Sequence, residues 1–266
     1  MSPLLSLLGA VKRGSVAALF VLAGLALVRF PAYAQGAARG PEATPKAVAP
    51  FDMTGYWVSV ITQNWRLRMV TPAKGDYIGI PMTPAAKEIA DQWDPRKQEA
   101  SGEQCKGYGA ALIMTLPERL HIAWQDDRTL KMDIDSGMQA RIFHFGRLER
   151  AGGKGTLQGD SVAEWVPRHG HRVPPGTRSN PAALYLKVTT TNMLPAYLRK
   201  NGVPYSANAV LTEYYDLSRE PDGEEWLFVT TKVEDPVYLD NPLILASQFK
   251  KEAGSSGWDP MPCSVQ

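Results

Sequence analysis

From residue 111 to residue 251, short segments with alternating apolar and polar residues follow one another, separated by turn residues. This period-two alternation predicts β-strands, and tight turns join neighbouring strands antiparallel. The segments are ALIMTL, RLHIAWQ, TLKMDID, MQARIFHF, SVAEWV, ALYLKVTTT, NAVLTEYYDL, EWLFVTTKV and LILASQFKK, and a further strand precedes them at about 55–62. A meander of this size removes its exposed edges most simply by closing on itself. We therefore predict a mainly β protein, an antiparallel up-and-down meander of about 8–10 strands that closes into a barrel.

One segment before these strands has helix signals. Thr83 is suited to cap the amino end, Pro84 suits the first helical position, and Asp94-Pro95 stops the helix. We predict one short helix near residues 84–93. Residues 35–50 are small, polar and proline-bearing, which predicts a disordered linker, and residues 51–266 then form a single β-barrel domain.

The first 34 residues have the features of a signal peptide. Lys12 and Arg13 precede an apolar run, and Ala32-Tyr33-Ala34 has the small-x-small pattern of a cleavage site. The alternative is an uncleaved amino-terminal anchor, although the apolar run is short for a membrane span. We predict a periplasmic or secreted protein, cleaved near Ala34, without stable membrane insertion afterwards.

The charge balance argues against a nucleic-acid partner. The formal charge of the whole chain is +2. The leader carries Lys12, Arg13 and Arg29 and no acidic residue, so the charge falls to about −1 without it. A nucleic-acid binder needs a basic surface, which this composition does not indicate.

Cys105 and Cys263 are the only cysteines in the sequence. In an oxidising compartment a lone pair of cysteines usually forms a disulfide, and closing so long a loop contributes roughly 4–5 kcal/mol in the chain-entropy model. The alternative is a pair of free thiols, one of them nucleophilic.

The first predicted strand begins with Gly55-Tyr56-Trp57. This opening resembles the Gly-x-Trp of the lipocalin and calycin barrels, in which the Trp lies across the closed end and the Gly lets the strand bend. The resemblance implies a lipocalin-like barrel. Lipocalins also have a late Arg that packs on this Trp, whereas here only Lys250 and Lys251 follow the last strand. The alternative is an ordinary buried strand Trp.

A broader resemblance covers most of residues 51–263. The segments TGYWVSV, GEQCKGYG, NGVPYSANAVLTEYYD and VTTKVEDPVYLDNP resemble the pattern of a group of secreted bacterial proteins without an established activity. Their pattern combines an opening Gly-x-Trp, a mid-chain Cys, a Gly-x-Pro-x-Ser segment and a Val-x-Asp-Pro ending. The resemblance implies the fold and export only.

Three polar residues share a strand face with apolar residues. His144 lies with Ala140 and Ile142, Glu164 with Val162 and Val166, and Glu213 with Leu211 and Tyr215. If these faces point inward, the three form a candidate acid/base set in an apolar pocket, where burial raises a carboxyl pKa. The alternative is that Arg141, Lys187 or Arg199 on neighbouring strands pairs with them.

Aromatic walls with a few polar groups are typical of a pocket for a planar or lipophilic molecule. The candidate ligand contacts are Trp57, Trp124, His121, Arg141 and Tyr215. The sequence has no Gly-x-Ser-x-Gly, His-Glu-x-x-His or P-loop motif, so we expect neither a metal site nor a cofactor.

Three functions fit these observations. The first is an exported lipocalin-like barrel that binds a hydrophobic or aromatic small molecule. The second is a cofactor-independent lyase, isomerase or hydrolase that uses His144 with Glu164 or Glu213. The third is a non-catalytic envelope module whose barrel is filled by its own side chains. Fold alone does not choose among them.

Overall fold

The computed structural model describes residues 43–148, 153–167 and 184–265. Eleven strands are present in these ranges, and nine of them form the barrel. The strands are β1 (Gly55–Ser59), β2 (Arg119–Trp124), β3 (Thr129–Ile134), β4 (Gln139–Phe145), β5 (Asp160–Pro167), β6 (Leu184–Thr191), β7 (Ala196–Arg199), β8 (Val203–Tyr205), β9 (Val210–Arg219), β10 (Glu225–Glu234) and β11 (Leu243–Glu252). The predicted leader, residues 1–34, lies outside the described residues.

The nine barrel strands follow the order β1-β11-β10-β9-β6-β5-β4-β3-β2, and β2 pairs with β1 to close the ring. Closure removes the free strand edges that an open sheet of this size exposes. The predicted barrel is therefore confirmed. Strands β7 and β8 leave the barrel between β6 and β9 and form a separate two-stranded hairpin.

The barrel is mixed, and the prediction of a purely antiparallel meander is wrong at one pair. β4 and β5 run parallel, with Phe143 opposite Ser161 and Phe145 opposite Ala163. A parallel pair needs a connection of a dozen residues or more, and residues 146–159 are long enough to return the chain to the starting end. Turn signals indicate where the chain leaves a strand but not where it re-enters the sheet.

The predicted helix is present as α2 (Pro84–Asp91), and the Thr83 hydroxyl accepts from the Ala86 amide at 3.2 Å. Three further short helices were not predicted: α1 (Trp65–Arg68), α3 (Pro95–Ala100) and α4 (Ala110–Ile113). Short 3-10 helices cover Gln104–Tyr108 and Ser255–Gly257. The predicted strand at 111–116 is wrong, because α4 occupies its start. All four residues of α4 are buried, and a short run that is apolar throughout has no periodicity to separate strand from helix.

The interior consists of two apolar clusters. The larger fills the barrel around Trp57 and includes Phe143, Tyr215 and Phe249, all fully buried. In the second cluster, residues of α2, α4, β7 and β8 pack against the barrel residues Leu211, Val233 and Leu243.

Residues 43–50 and the described part of the carboxyl-terminal tail are both bonded to other parts of the fold. The predicted disulfide is present between Cys105 and Cys263, which are 158 residues apart in sequence, and it holds the carboxyl-terminal tail to the 3-10 helix Gln104–Tyr108. Residues 43–50 belong to the predicted disordered linker, yet they form a turn against the barrel. The Lys46 amide donates to the Asp127 carbonyl at 3.2 Å, and Trp165 Nε1 donates to the Pro45 carbonyl at 3.0 Å.

Candidate functional site

Trp57 is a core residue of the barrel and pairs with Lys251 near the end of β11. Its side chain is fully buried, and its Nε1 donates to the Met53 carbonyl at 2.9 Å. Lys251, its partner residue on β11, places Nζ 4.8 Å from the centre of the indole ring, in a cation–π contact. Gly55 has φ +108°, and a Cβ there would lie 3.3 Å from Lys251 Cε. Lys251 therefore covers the indole of Trp57 from β11.

Between the two apolar clusters lies a layer of buried polar side chains. On β9, Leu211 belongs to one cluster and Tyr215 to the other, with Glu213 between them. Thr231 lies between Val229 and Val233 in the same way on β10. We call the following inward-facing residues the polar layer: Arg141, Ser161, Thr190, Glu213, Thr231 and Ser247.

Arg141 and Glu213 form the centre of this layer. Arg141 Nη1 donates to Glu213 Oε1 at 2.8 Å and Nη2 to Oε2 at 2.5 Å, and neither side chain is accessible to solvent. Arg141 also lies 3.4 Å from the hydroxyls of Tyr215 and Thr190, and Thr190 bonds Ser161 at 2.7 Å. Burial alone lowers the pKa of Arg141, but the adjacent Glu213 carboxylate outweighs it and raises that pKa above its ordinary value.

Glu118 is a second buried carboxyl next to the polar layer. It precedes β2, is 5% exposed, and neither carboxyl oxygen has a hydrogen-bond partner among the described residues. Burial raises its pKa well above the ordinary value, and the negative charge of Asp135 adds to this, while Arg141 opposes it. Burial therefore favours the protonated form of Glu118 beside the Arg141–Glu213 ion pair. Sequence reasoning missed it, because Pro117-Glu118-Arg119 has the composition of an exposed turn.

Two buried tyrosines accompany these groups. Burial raises the pKa of Tyr205, whose hydroxyl has no partner among the described residues. Burial and the Glu213 charge together raise the pKa of Tyr215. Both phenols stay protonated at neutral pH, so they add two neutral hydroxyl groups to the surroundings of the Arg141–Glu213 pair.

Of the three candidate acid/base residues, only Glu213 points into the barrel. His144 lies on the outer face of β4, whose buried residues are Arg141, Phe143 and Phe145. Glu164 lies on the outer face of β5 and accepts from Lys187 Nζ at 2.7 Å. The inward assignment of His144 and Glu164 is wrong, because β4 and β5 have apolar residues on both faces. The three side chains are not brought together.

The five candidate ligand contacts do not share one pocket. Arg141 lies 3.4 Å from the hydroxyl of Tyr215, and Trp57 is buried in the larger apolar cluster. Trp124 packs on Phe145 with ring centres 5.4 Å apart. His121 points outward.

His121 lies in an aromatic group on the outside of the barrel. Its ring stacks on Tyr56 with centres 4.4 Å apart and an interplanar angle of 15°. Trp258 approaches the same ring edge-on at 6.3 Å, and Asp133 Oδ2 is 3.9 Å from His121 Nδ1. His121 therefore contributes to a surface groove of about 330 Å³ and not to the interior.

Two segments of the broader sequence pattern meet in the structure. Asp235, in the Val-x-Asp-Pro segment, accepts from the amide of Ser206 at 2.6 Å and from its hydroxyl at 2.7 Å, and Ser206 ends the Gly-x-Pro-x-Ser segment. Both side chains are buried. These residues fix the connection after β10 to the connection after β8.

Five clefts formed by described residues have volumes of about 220 to 590 Å³. The largest lies between residues 46–54 and the end of β2, beside Trp124. None of these five has a member of the polar layer in its wall. The most enclosed of the five has a volume of about 220 Å³ and lies at the start of β11, whereas Lys251 and Trp57 lie at the opposite end of that strand.

This enclosed cleft, which we call the Arg68 cleft, has mostly aliphatic walls. They come from α1, residues 78–80, α4, β7 and the start of β11: Leu67, Ile78, Ile80, Leu112, Leu198, Leu243, Ile244 and Leu245. Its polar lining residues are Asn64, Arg68, Thr115 and Arg199. Large apolar side chains are exposed on the same elements and in the adjoining residues: Trp65, Met69, Val70, Ile78 and Ile244.

The two arginines of the cleft differ in their partners. Arg68 Nη2 donates to the Ala246 carbonyl at 2.8 Å, while its buried Nη1 has no partner among the described residues. Arg199 donates to the carbonyls of Asp76 and Ile78 at 3.1 and 3.0 Å. Burial lowers the pKa of both guanidinium groups, and the charge of Asp76 opposes this for Arg199. Both remain cations at neutral pH.

The fold and site define a closed mixed β-barrel with a buried indole in its core and an apolar, cationic cleft at the start of β11. Comparison with protein-family models, curated proteins and solved structures found no match. Within the described ranges, no helix is long and apolar enough to cross a membrane. The same residues contain no group of three or more His, Cys, Asp or Glu side chains that could hold a metal ion.

Proposed function

We propose that this protein is an exported lipocalin-like barrel that binds a hydrophobic small molecule in the Arg68 cleft. The observation that carries the proposal is the aliphatic wall of the cleft, which continues onto exposed apolar side chains. Ile78 is 67% exposed and Ile244 57% exposed, and both line the cleft. A ligand that covers them removes apolar surface from water, which is favourable by about 25 cal/mol per Å².

The position of the site differs from the interior pocket that the sequence suggests. The barrel around Trp57 is filled by its own side chains, including Phe143, Tyr215 and Phe249. Binding therefore takes place where the barrel end meets α1 and β7, on walls that are already formed.

Three observations support export. The leader ends in Ala32-Tyr33-Ala34, Cys105 and Cys263 form a disulfide, and the sequence pattern resembles that of secreted proteins. Fractionation of expressing cells tests this. We expect the protein in the periplasm or the medium, with Gln35 as its first residue, and an intact leader on the cytoplasmic side would contradict it.

An uncharged fluorescent probe, N-phenyl-1-naphthylamine, tests binding to the mature, oxidised protein. Ile244→Glu places a charge on the apolar wall and should weaken binding about tenfold, the equivalent of about 1.4 kcal/mol. The matched control is Val237→Glu, since Val237 is also exposed but lies outside the cleft lining. Absence of probe binding, or equal binding by both variants, would refute the proposed site and favour a barrel filled for structural reasons.

A further inference from the structure

We propose that Arg68 makes the cleft selective for an amphipathic anion, specifically an aliphatic carboxylate whose head group pairs with the guanidinium. This inference rests on the proposed function and assigns the chemical class of the ligand. Arg68 is 8% exposed, and its Nη1 is buried without a hydrogen-bond partner among the described residues. No carboxylate among those residues forms an ion pair with it.

A buried cation without a counterion is costly. Transfer of a charged group out of water is unfavourable unless the group is paired and hydrogen-bonded. The single bond from Arg68 to the Ala246 carbonyl satisfies one nitrogen and leaves the charge uncompensated. Arg68 lines the cleft, so a ligand carboxylate there supplies the missing negative charge, and a charge-assisted bond to a guanidinium is about twice as strong as a neutral one.

The surrounding charges favour the same ligand. Arg199 is the other charged residue in the described lining, and it is also a cation. The nearby carboxylate of Asp76 is engaged by Arg66 at 2.5 Å and does not line the cleft. The field inside the cleft is therefore positive, which disfavours a cationic ligand.

The size and the walls of the cleft favour an aliphatic chain on the anion. A volume of about 220 Å³ accommodates a carboxylate and a short chain. A longer chain continues along the exposed side chains of Ile78 and Ile244 at the cleft. A free inorganic anion would leave these aliphatic surfaces uncovered.

Three ligands with the same eight-carbon chain test the inference by isothermal titration of the mature, oxidised protein: octanoate, 1-octanol and octylammonium. We expect octanoate to bind at least about tenfold more tightly than 1-octanol, and octylammonium to bind most weakly. Arg68→Met keeps most of the side-chain length, and it should reduce octanoate affinity to that of 1-octanol while leaving 1-octanol affinity unchanged.

Lys87→Met is the control, because Lys87 is an exposed cation that does not line the cleft. It should keep the preference for octanoate. Arg68→Lys keeps the charge and should keep part of the preference.

The outcomes separate this inference from the proposed function. Equal binding of octanoate and 1-octanol by the wild-type protein overturns the anion inference and leaves hydrophobic binding intact. Failure of all three ligands to bind overturns the proposed function itself. An octanoate preference that survives Arg68→Met places the anion elsewhere and also overturns the inference. The comparison of octanoate with 1-octanol on the wild-type protein tests the anion inference even if Arg68→Met does not fold.

Discussion

Neutralising Glu213 tests whether the polar layer depends on a buried ion pair. Arg141 holds the Glu213 carboxylate through two bonds of 2.8 and 2.5 Å, and both side chains are fully buried. Glu213→Gln keeps the shape of the side chain and removes its charge. Arg141 then remains charged in the barrel interior without its counterion.

The expected cost follows from this burial. Removing one partner of a buried ion pair costs about 3–5 kcal/mol, and two unit charges 4 Å apart interact by about 4 kcal/mol at an effective dielectric constant of about 20. Glu118 is close enough for its pKa to respond to Arg141, so it can lose its proton and replace part of the missing charge. We therefore expect a loss of about 3 kcal/mol in the free energy of unfolding, which lowers the Tm of a domain of this size by about 6–12 °C.

The measurement is urea unfolding followed by circular dichroism, with the disulfide intact. Glu164→Gln is the control, since it removes the carboxylate of an exposed cross-strand pair with Lys187 and should cost less than about 1 kcal/mol. The double variant Arg141→Met/Glu213→Leu should be within about 1 kcal/mol of the wild type or more stable. A cost for Glu213→Gln no larger than that for Glu164→Gln would refute the buried ion pair.

Three further predictions concern stability. Because the pKa of Glu118 is raised in the folded state, the folded state binds more protons than the unfolded state above about pH 4.3, and stability falls as the pH rises towards the folded-state pKa. Glu118→Gln should flatten this fall and stabilise the protein at pH 7. An unchanged pH dependence of the free energy of unfolding, measured by urea unfolding, would contradict this prediction. Replacing Cys105 and Cys263 by Ser should lower the free energy of unfolding by about 5 kcal/mol, because the bridge closes a separation of 158 residues, and a loss below about 2 kcal/mol in denaturant titration would contradict this. Gly55→Ala forces a side chain to φ +108° against β11 and should cost about 1–3 kcal/mol by thermal unfolding, more than Gly223→Ala, where φ is +90° but no atom lies within 4 Å; equal losses would show that the close contact is unimportant.

Strand β9 was predictable because buried and more exposed residues alternate strictly from Val210 to Tyr215. In β9, Leu211 and Tyr215 alternate with Thr212 and Tyr214, so the inward position of Glu213 followed from periodicity. The same reasoning failed on β4, where Ile142 faces outward and Phe143 inward. A strand that is apolar on both faces does not indicate which of them is the interior.

The Arg68 cleft was not predictable from local patterns. Arg68 belongs to a segment that reads as irregular, and the walls around it come from α4, β7 and β11, which lie far apart in sequence. Nothing in the sequence indicates that its guanidinium is buried. The side chain is shielded from water only because the fold places distant residues against it.

The sequence by itself determined most of the barrel strands, the closure into a barrel and the Cys105–Cys263 pairing. These features depend on residue periodicity, on the cost of free strand edges and on the chemistry of single residue types, which are all local or compositional properties. The tertiary structure decided the parallel β4–β5 pair, the outward positions of His144 and Glu164, and the burial of Arg68, Arg141 and Glu118. These depend on the pairing of distant segments, because the exposure and the counterion of a charged group are set by what packs against it.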